Sequence, residues 1–103
     1  MNFDEYQTAA IRTLKKVQGA EDGQLSILGL GLAEETGEAI SLLHKYLARN
    51  KPLDLTKLEA ELGDVLWYVT AIAELCGLSM EHIAKANVEK LLQRYPDGFK
   101  LSK

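Results

Sequence analysis

The sequence predicts an all-α protein, a single domain of the four-helix-bundle type. Apolar residues recur at intervals of three and four, Gly and Pro divide the chain into four such stretches, and the strict alternation typical of strands is absent. A chain of 103 residues forms one modest core, so we expect one domain over residues 1–103 and completion of the bundle by oligomerisation.

The first helix is expected to begin at Asn2, a favourable N-cap residue with Glu5 at the capping-box position three residues later. Apolar side chains continue at helical spacing through Leu14 and Val17, and Gly19 is expected to stop the helix. The segment GAEDGQ that follows is typical of a loop.

The second helix is expected from about Leu25 to Arg49, where the polar turn NKPLD ends it. Its apolar residues form one stripe, and that stripe passes through Glu35. A carboxylate on the packing face of a helix is unusual, which marks Glu35 as a candidate functional residue.

The third helix is expected to start at Asp54 or at Thr56, which has Glu59 at the capping-box spacing. It continues through VLWYVTAIA and should stop at Gly77. Because the second half of this helix is apolar all round, we expect it to be central.

The fourth helix is expected to begin at Ser79, which is a favourable N-cap residue. It must end near Tyr95, because the residue before Pro96 is disfavoured in the α region. The segment PDGF that follows is typical of a turn.

Composition and charge exclude several classes of function. A net charge of −3 and a pI near 5.3 argue against a nucleic-acid partner, which requires clustered Lys and Arg. The longest apolar run, residues 65–73, is far short of the roughly 20 residues of a membrane-spanning helix. The N-terminus lacks an apolar signal segment, so we expect a cytoplasmic protein. Cys76 is the single cysteine and is expected to be a small buried hydrophobe.

Carboxylates cluster on the second and third helices. The second helix carries Glu34, Glu35 and Glu38 within five positions, and the third carries Glu61 and Asp64 three apart. Residues three and four apart share a helix face, so each group interrupts an apolar surface. Uncompensated carboxylates inside a bundle are strongly unfavourable, because desolvation and like-charge repulsion both oppose ionisation. A cation is therefore expected beside them.

Mg²⁺, or Mn²⁺ in its place, is the cation that carboxylates from two facing helices favour, because both ions prefer oxygen ligands. Gly31, Gly37 and Gly63 stand near the acidic positions and are expected to let a neighbouring backbone or a ligand come close. The alternative is a non-catalytic helical-bundle interaction protein, in which these carboxylates are solvated or form ion pairs with Lys and Arg.

The acidic motifs resemble those of a known family. EETGE, residues 34–38, and ELGD, residues 61–64, are similar to the EExxE and ExxD signature of the MazG-like, all-α nucleoside triphosphate pyrophosphohydrolases. NVEKLLQRYPDGF, residues 87–99, is similar to the family's Asn-Lys-Arg-Tyr-Pro segment, so the resemblance covers roughly residues 28–99. It implies that the metal ligands are Glu35, Glu38, Glu61 and Asp64, and that Glu34 activates water or binds an additional metal.

The resemblance also implies a reaction and a partner. A helical bundle, usually dimeric or tetrameric, would use Mg²⁺ to hydrolyse an NTP or dNTP to the nucleoside monophosphate and pyrophosphate, a chemistry that suits the clearance of unwanted nucleotides. The nearest alternative is a phosphoribosyl-ATP pyrophosphohydrolase, because that family is similar in its helices and acidic motif.

Phosphate-binding groups are expected on the fourth helix. Asn87, Lys90 and Arg94 lie at offsets of three and seven on one face, where an apolar stripe should run. Tyr95 could donate its hydroxyl to phosphate or simply pack. The alternative for this row is a solvated helix edge whose Lys and Arg complement the helix dipole.

The remaining polar and aromatic residues carry weaker signals. Trp67 and Tyr68 are expected to be core residues, because the run around them is apolar. The sequence lacks the ExxH motif of a di-iron bundle, and LGLGLAEE lacks the GK[ST] of a P-loop. Gln7 and Gln24 could read a nucleobase, but nothing in the sequence singles them out.

Overall fold

The computed structural model describes residues 1–14 and 21–98 of the chain. Within these ranges lie four α-helices and a 3₁₀ turn at Ile11–Thr13, and no strand occurs there, so the all-α prediction is confirmed. The helices are α1 (Phe3–Ala10), α2 (Glu21–Ala48), α3 (Leu55–Leu75) and α4 (Met80–Arg94).

The first helix begins as predicted and ends earlier than predicted. Asn2 accepts a hydrogen bond from the backbone N–H of Glu5 and donates its own N–H to the Glu5 carboxylate, both at 2.8 Å, which completes the capping box. The prediction that the helix runs through Leu14 is wrong, because a 3₁₀ turn intervenes and Leu14 is extended. The tertiary contact of Trp67, which donates its Nε1–H to the Ala10 carbonyl at 3.0 Å, fixes this early end. The expected stop at Gly19 lies outside the described residues.

The second helix begins at Glu21, so the prediction of a loop through Gln24 is wrong for residues 21–24. Gly23 inside the first turns costs about 1 kcal/mol of helix stability, which a helix of 28 residues readily offsets. The predicted exit at NKPLD is confirmed. Asn50 there takes the left-handed conformation with φ 51°, which Asn tolerates better than most residues.

The third helix has both predicted ends. Asp54, rather than Thr56, is its N-cap and accepts the Lys57 N–H at 3.0 Å. At the other end Gly77 has φ 72°, and Leu78 donates its N–H to the Ala73 carbonyl at 2.8 Å, as in a Schellman motif. Helix α3 packs along α2 and also contacts α1, and the residues of its second half are buried or half-buried, so the expected central position is confirmed.

Helix α4 leaves the end of α3 at a corner. Ser79 is its N-cap and accepts the His82 N–H at 3.2 Å, and the helix ends at Arg94 before Tyr95 and Pro96, both as predicted. The two helix axes are bent by 106°, and α4 packs mainly against α1. Cys76, the C-cap of α3 at this corner, is exposed, so the expectation of a buried cysteine is wrong.

None of the described helices is by itself long and apolar enough to cross a membrane. The bent pair α3 and α4 reaches the necessary length and hydropathy only when the two helices are taken together.

The chain is extended rather than compact. Its radius of gyration is 16.7 Å, against about 13 Å for a compact domain of this length. Among the described residues, the apolar side chains classed as buried are Leu28, Ala39, Ala71, Ala73 and Met80. Large apolar side chains are exposed on α2 and α4, among them Ile27, Leu30, Leu47, Val88, Leu91 and Leu92. A single chain therefore leaves much of its apolar surface in contact with solvent.

Candidate metal centre

Three carboxylates from two helices converge where α2 packs on α3. Glu61 and Asp64 are three apart on α3 and share its face, and Glu35 faces them from α2. One carboxylate oxygen from each residue lies within 4.8 Å of the others. The structure thus joins the two acidic motifs that the sequence separates by 22 residues.

This cluster is electrostatically strained. Glu35 and Glu61 are half-buried, and Asp64 is exposed. Burial raises the pKa of Glu35 above its ordinary value of 4.5, and the negative charge of Asp64, a hydrogen bond to Glu61 and the charges of Glu61 and Glu34 raise it further. Each of these effects favours the protonated form, so the site disfavours its own full ionisation.

One oxygen of the cluster lacks a protein partner. Glu61 Oε2 is buried, and it has no hydrogen-bond partner among the residues that the structure describes. A buried carboxylate oxygen of this kind is costly unless a donor or a cation approaches it. Three converging carboxylates, one of which has a buried oxygen without a described partner, fit a hard divalent cation such as Mg²⁺ or Mn²⁺, because such ions take all-oxygen ligand sets.

Glu34 and Glu38, the other two predicted acids, occupy a different environment. Both are exposed on α2, and neither belongs to the group of three carboxylates that converge. The charge of Glu34 acts on Glu35, and Glu38 follows Glu35 by three residues. Their roles in water activation and metal binding remain predictions.

A glycine brings α2 and α3 close beside this cluster. A Cβ atom built at Gly31 would lie 2.5 Å from Cζ and 2.8 Å from Oη of Tyr68, so the Tyr68 ring lies directly on the backbone of α2. At Gly31 the group that comes close is the Tyr68 side chain, rather than the neighbouring backbone or ligand that the sequence led us to expect. At Gly37 and Gly63 a Cβ would meet no atom of the described chain within 4 Å, so no protein group approaches there.

The predicted phosphate-binding residues lie apart from the carboxylates. Asn87, Lys90 and Arg94 are exposed on α4, and Tyr95 is half-buried beside an apolar groove. A rise of about 1.5 Å per residue along both helices, with their bend of 106°, puts Lys90 on the order of 20 Å from Asp64 between Cα atoms. The single chain therefore joins the carboxylates of α2 and α3 without placing the basic row beside them.

The two aromatic residues of α3, expected to be core residues, are half-buried and make packing contacts. Trp67 Nε1 donates to the Ala10 carbonyl and to Thr13 Oγ1, each at 3.0 Å. Its ring meets that of Tyr68 edge to face, with centroids 5.0 Å apart and an interplanar angle of 88°. These contacts hold the end of α1 against α3.

Gln7 has a role that the sequence does not indicate. Its amide forms hydrogen bonds at the α3–α4 corner, to Glu74, Leu78 and Met80. Glutamine is common on solvated helix faces, and only the three-dimensional approach of α1 to this corner distinguishes Gln7 from such a residue.

Comparison with known proteins identifies a family. A family model described as the MazG nucleotide pyrophosphohydrolase domain matches residues 24–99. Gene 37 protein of Mycobacterium phage L5 is 36% identical over 107 residues, which cover 95% of this chain and 92% of the phage protein. Uncharacterized protein YvdC of Bacillus subtilis (strain 168) is 32% identical over 73 residues, 62% of this chain and 69% of that protein. Neither name states an activity, and no solved structure gives a significant match.

Proposed function

The chain belongs to the MazG nucleotide pyrophosphohydrolase family, and from this premise we propose that it hydrolyses an NTP or dNTP to the nucleoside monophosphate and pyrophosphate with the aid of Mg²⁺. Mn²⁺ is expected to substitute, because it shares the preference for oxygen ligands. A freely diffusing nucleotide as substrate also suits a cytoplasmic protein, which we propose this chain to be.

The convergence of Glu35, Glu61 and Asp64 is the observation that supports this function best. Bound metal neutralises a polyphosphate and lowers the pKa of an attacking water. The three carboxylates supply the negative charge that would hold such a cation at the α2–α3 interface, and Glu61 Oε2 offers an oxygen with no competing partner among the described residues.

Glu34 and Glu38 are exposed on α2, one residue before and three residues after Glu35. Glu34 is proposed to accept the proton of the attacking water as the new oxygen–phosphorus bond forms and the bond to pyrophosphate breaks. Glu38 is proposed as a further metal ligand. Both side chains are exposed, so both roles require a nucleotide that binds at the solvent-accessible surface of α2.

Lys90 and Arg94, with Asn87 and Tyr95, are proposed to bind the polyphosphate from α4. Guanidinium and ammonium groups form charge-assisted hydrogen bonds to phosphate oxygens. Their distance from the carboxylates leaves room for a polyphosphate between the two sets of charges.

A homodimer or homotetramer is proposed as the working form. The chain exposes 8010 Å², whereas a compact monomer of 11.4 kDa exposes about 5,800 Å². The excess of roughly 2,000 Å² is comparable to the surface that specific interfaces bury. The exposed leucines and valine of α4, Leu91, Leu92 and Val88, are suited to packing against another copy. Sedimentation equilibrium of wild type and of Leu91→Glu tests this: a monomeric wild type would refute it.

The decisive experiment is a panel of NTPs and dNTPs with Mg²⁺, read by product identity. We expect monophosphate and pyrophosphate in equal amounts, and no product without divalent metal. Initial release of orthophosphate and a diphosphate would reject the mechanism. Phosphoribosyl-ATP belongs in the same panel, because preferential turnover of that compound would assign the chain to the related reaction. Absence of both turnover and Mn²⁺ binding would leave a non-catalytic helical bundle.

A further inference from the structure

We propose that Gln7 is a positioning residue that fixes the direction of α4, and with it the phosphate-binding row, relative to the metal-binding helix α3. The consequence for catalysis rests on the function proposed above. The structural part, that one side chain of α1 holds the α3–α4 corner, stands on its own contacts.

The Gln7 amide joins three parts of the corner. Its Oε1 accepts the backbone N–H of Met80, the first residue of α4, at 2.7 Å. Its Nε2 donates to the Leu78 carbonyl in the connection and to Glu74 Oε1 in the last turn of α3, each at 3.0 Å. The amide thus donates twice and accepts once, a combination that a carboxylate or an apolar side chain cannot reproduce.

Other contacts hold α4 to the same helix. The connection spans residues 76–79, too short to pack on its own, and α4 packs mainly against α1. Ser79 Oγ donates to Asp4 Oδ1 at 3.3 Å, and Met80 is buried at the corner. The orientation of α4 is therefore set by α1 rather than by extended packing along α2 or α3.

Geometry makes this corner sensitive. Lys90 lies about 15 Å along α4 from Met80, so a rotation of about 10° at the corner displaces it by roughly 2.6 Å. A misplacement of about 1 Å in a substrate-positioning group can cost on the order of 100-fold in rate. Loss of the Gln7 amide is therefore expected to displace the phosphate-binding residues of α4, although Gln7 does not contact them.

Neither the acidic motif nor the family match assigns this role. The family model covers residues 24–99, and α1 lies before that range. Helix α1 thus supports the helix that carries the basic groups.

The test compares Gln7→Met with Thr8→Ala. Methionine retains the length and helix propensity of glutamine and removes the amide. Thr8 is the neighbouring residue on α1, is exposed, and donates its hydroxyl only within the helix, to the Asp4 carbonyl at 3.0 Å. Gln7→Glu is a milder second variant, because it keeps the acceptor for Met80 and loses the two donors.

The first readout is the angle between α3 and α4. Spin labels at the exposed positions Lys57→Cys and Glu89→Cys, in a Cys76→Ser background, report the distance between the two helices, and dilution with unlabelled chains isolates the distance within one chain. Gln7→Met should shift that distance by more than 2 Å or broaden its distribution, and Thr8→Ala should do neither. An unchanged distance in folded Gln7→Met would overturn the proposal whether or not the protein is an enzyme.

The second readout is the division between substrate and metal binding. Gln7→Met should raise KM for the nucleotide at least tenfold and leave Mn²⁺ affinity within twofold of wild type, because the carboxylates lie on α2 and α3. The losses of Gln7→Met and Lys90→Ala should be less than additive in the double variant, since Lys90 is one of the groups that Gln7 positions. Additive losses, or equal losses in nucleotide and metal binding, would show a general structural role instead. A wild type without hydrolytic activity would refute the proposed function and leave the distance measurement to decide on Gln7.

Discussion

Gly31→Ala tests how closely α2 and α3 must approach to hold the carboxylates together. The added Cβ would lie 2.5 Å from Cζ of Tyr68, whereas carbon atoms in contact prefer about 3.5–4.0 Å. The ring and the helix must therefore separate by about 1 Å. Gly31 precedes Glu35 by four residues and Tyr68 follows Asp64 by four, so this contact lies one helical turn from the cluster.

The expected change in the free energy of unfolding is the difference between two effects. Alanine raises helix stability by about 1 kcal/mol relative to glycine, and overpacking of a close contact costs about 1–3 kcal/mol. Gly37→Ala is the matched control, because it lies on the same helix and its Cβ would meet no described atom within 4 Å. The control should gain about 1 kcal/mol, and Gly31→Ala should fall below it by about 1–3 kcal/mol.

Urea denaturation without metal measures the free energy of unfolding of each variant. Titration with Mn²⁺ measures the effect of each substitution on metal affinity. Separation of the helices moves the Glu35 oxygen away from those of Glu61 and Asp64, so Gly31→Ala should weaken Mn²⁺ binding about tenfold or more, which corresponds to about 1.4 kcal/mol. Gly37→Ala should retain wild-type affinity. If Gly31→Ala is stabilised like the control and binds Mn²⁺ normally, the Tyr68 ring swings aside and does not set the helix spacing.

Four further outcomes are expected. The folded-state pKa of Glu35 is raised above 4.5, so its carboxyl contributes stability below pH 4.5. This stability is lost as the pH rises through the raised pKa. Thermal melts of the metal-free proteins should show the loss in wild type and not in Glu35→Gln. Glu61→Gln should stabilise the metal-free protein and reduce the additional stability that bound metal gives. In wild type that additional stability approaches about 2.7 kcal/mol when free metal is at 100 times its dissociation constant. A destabilised variant with an unchanged metal response would make Glu61 a structural residue. Lys90→Ala and Arg94→Ala should each raise KM for nucleotide about tenfold with Mn²⁺ affinity retained, and wild-type kinetics in both would place the polyphosphate elsewhere. Glu38→Gln should lose activity but keep Mn²⁺ affinity in the absence of nucleotide, as measured by titration calorimetry, because Glu38 is exposed and outside the converging group; weakened binding without nucleotide would place it among the resident ligands.

Helix ends governed by local chemistry were predictable from the sequence. Asn2, Ser79 and Gly77 lie where side-chain caps or a left-handed backbone end a helix irrespective of what packs nearby. The end of α1 and the start of α2 were not predictable in this way. Trp67 reaches the Ala10 carbonyl from another helix, and a contact between residues so distant in sequence leaves no periodic signal.

Local sequence and distant contacts also determine different features of the candidate site. Residues three apart on a helix differ by about 60° in direction, so the spacing of Glu35 and Glu38 indicates a shared side of α2 but not which carboxylate faces α3. In the structure Glu35 is the carboxylate that faces α3, where it meets Glu61 and Asp64, and Glu38 remains exposed. A cluster that forms before any ligand arrives bears its own repulsion, and the raised pKa of Glu35 records that cost. The acidic residues of α2 are thus divided: Glu35 converges with Glu61 and Asp64 of α3, and Glu34 and Glu38 stay exposed. Identical side chains acquire these different surroundings only from their positions around one helix.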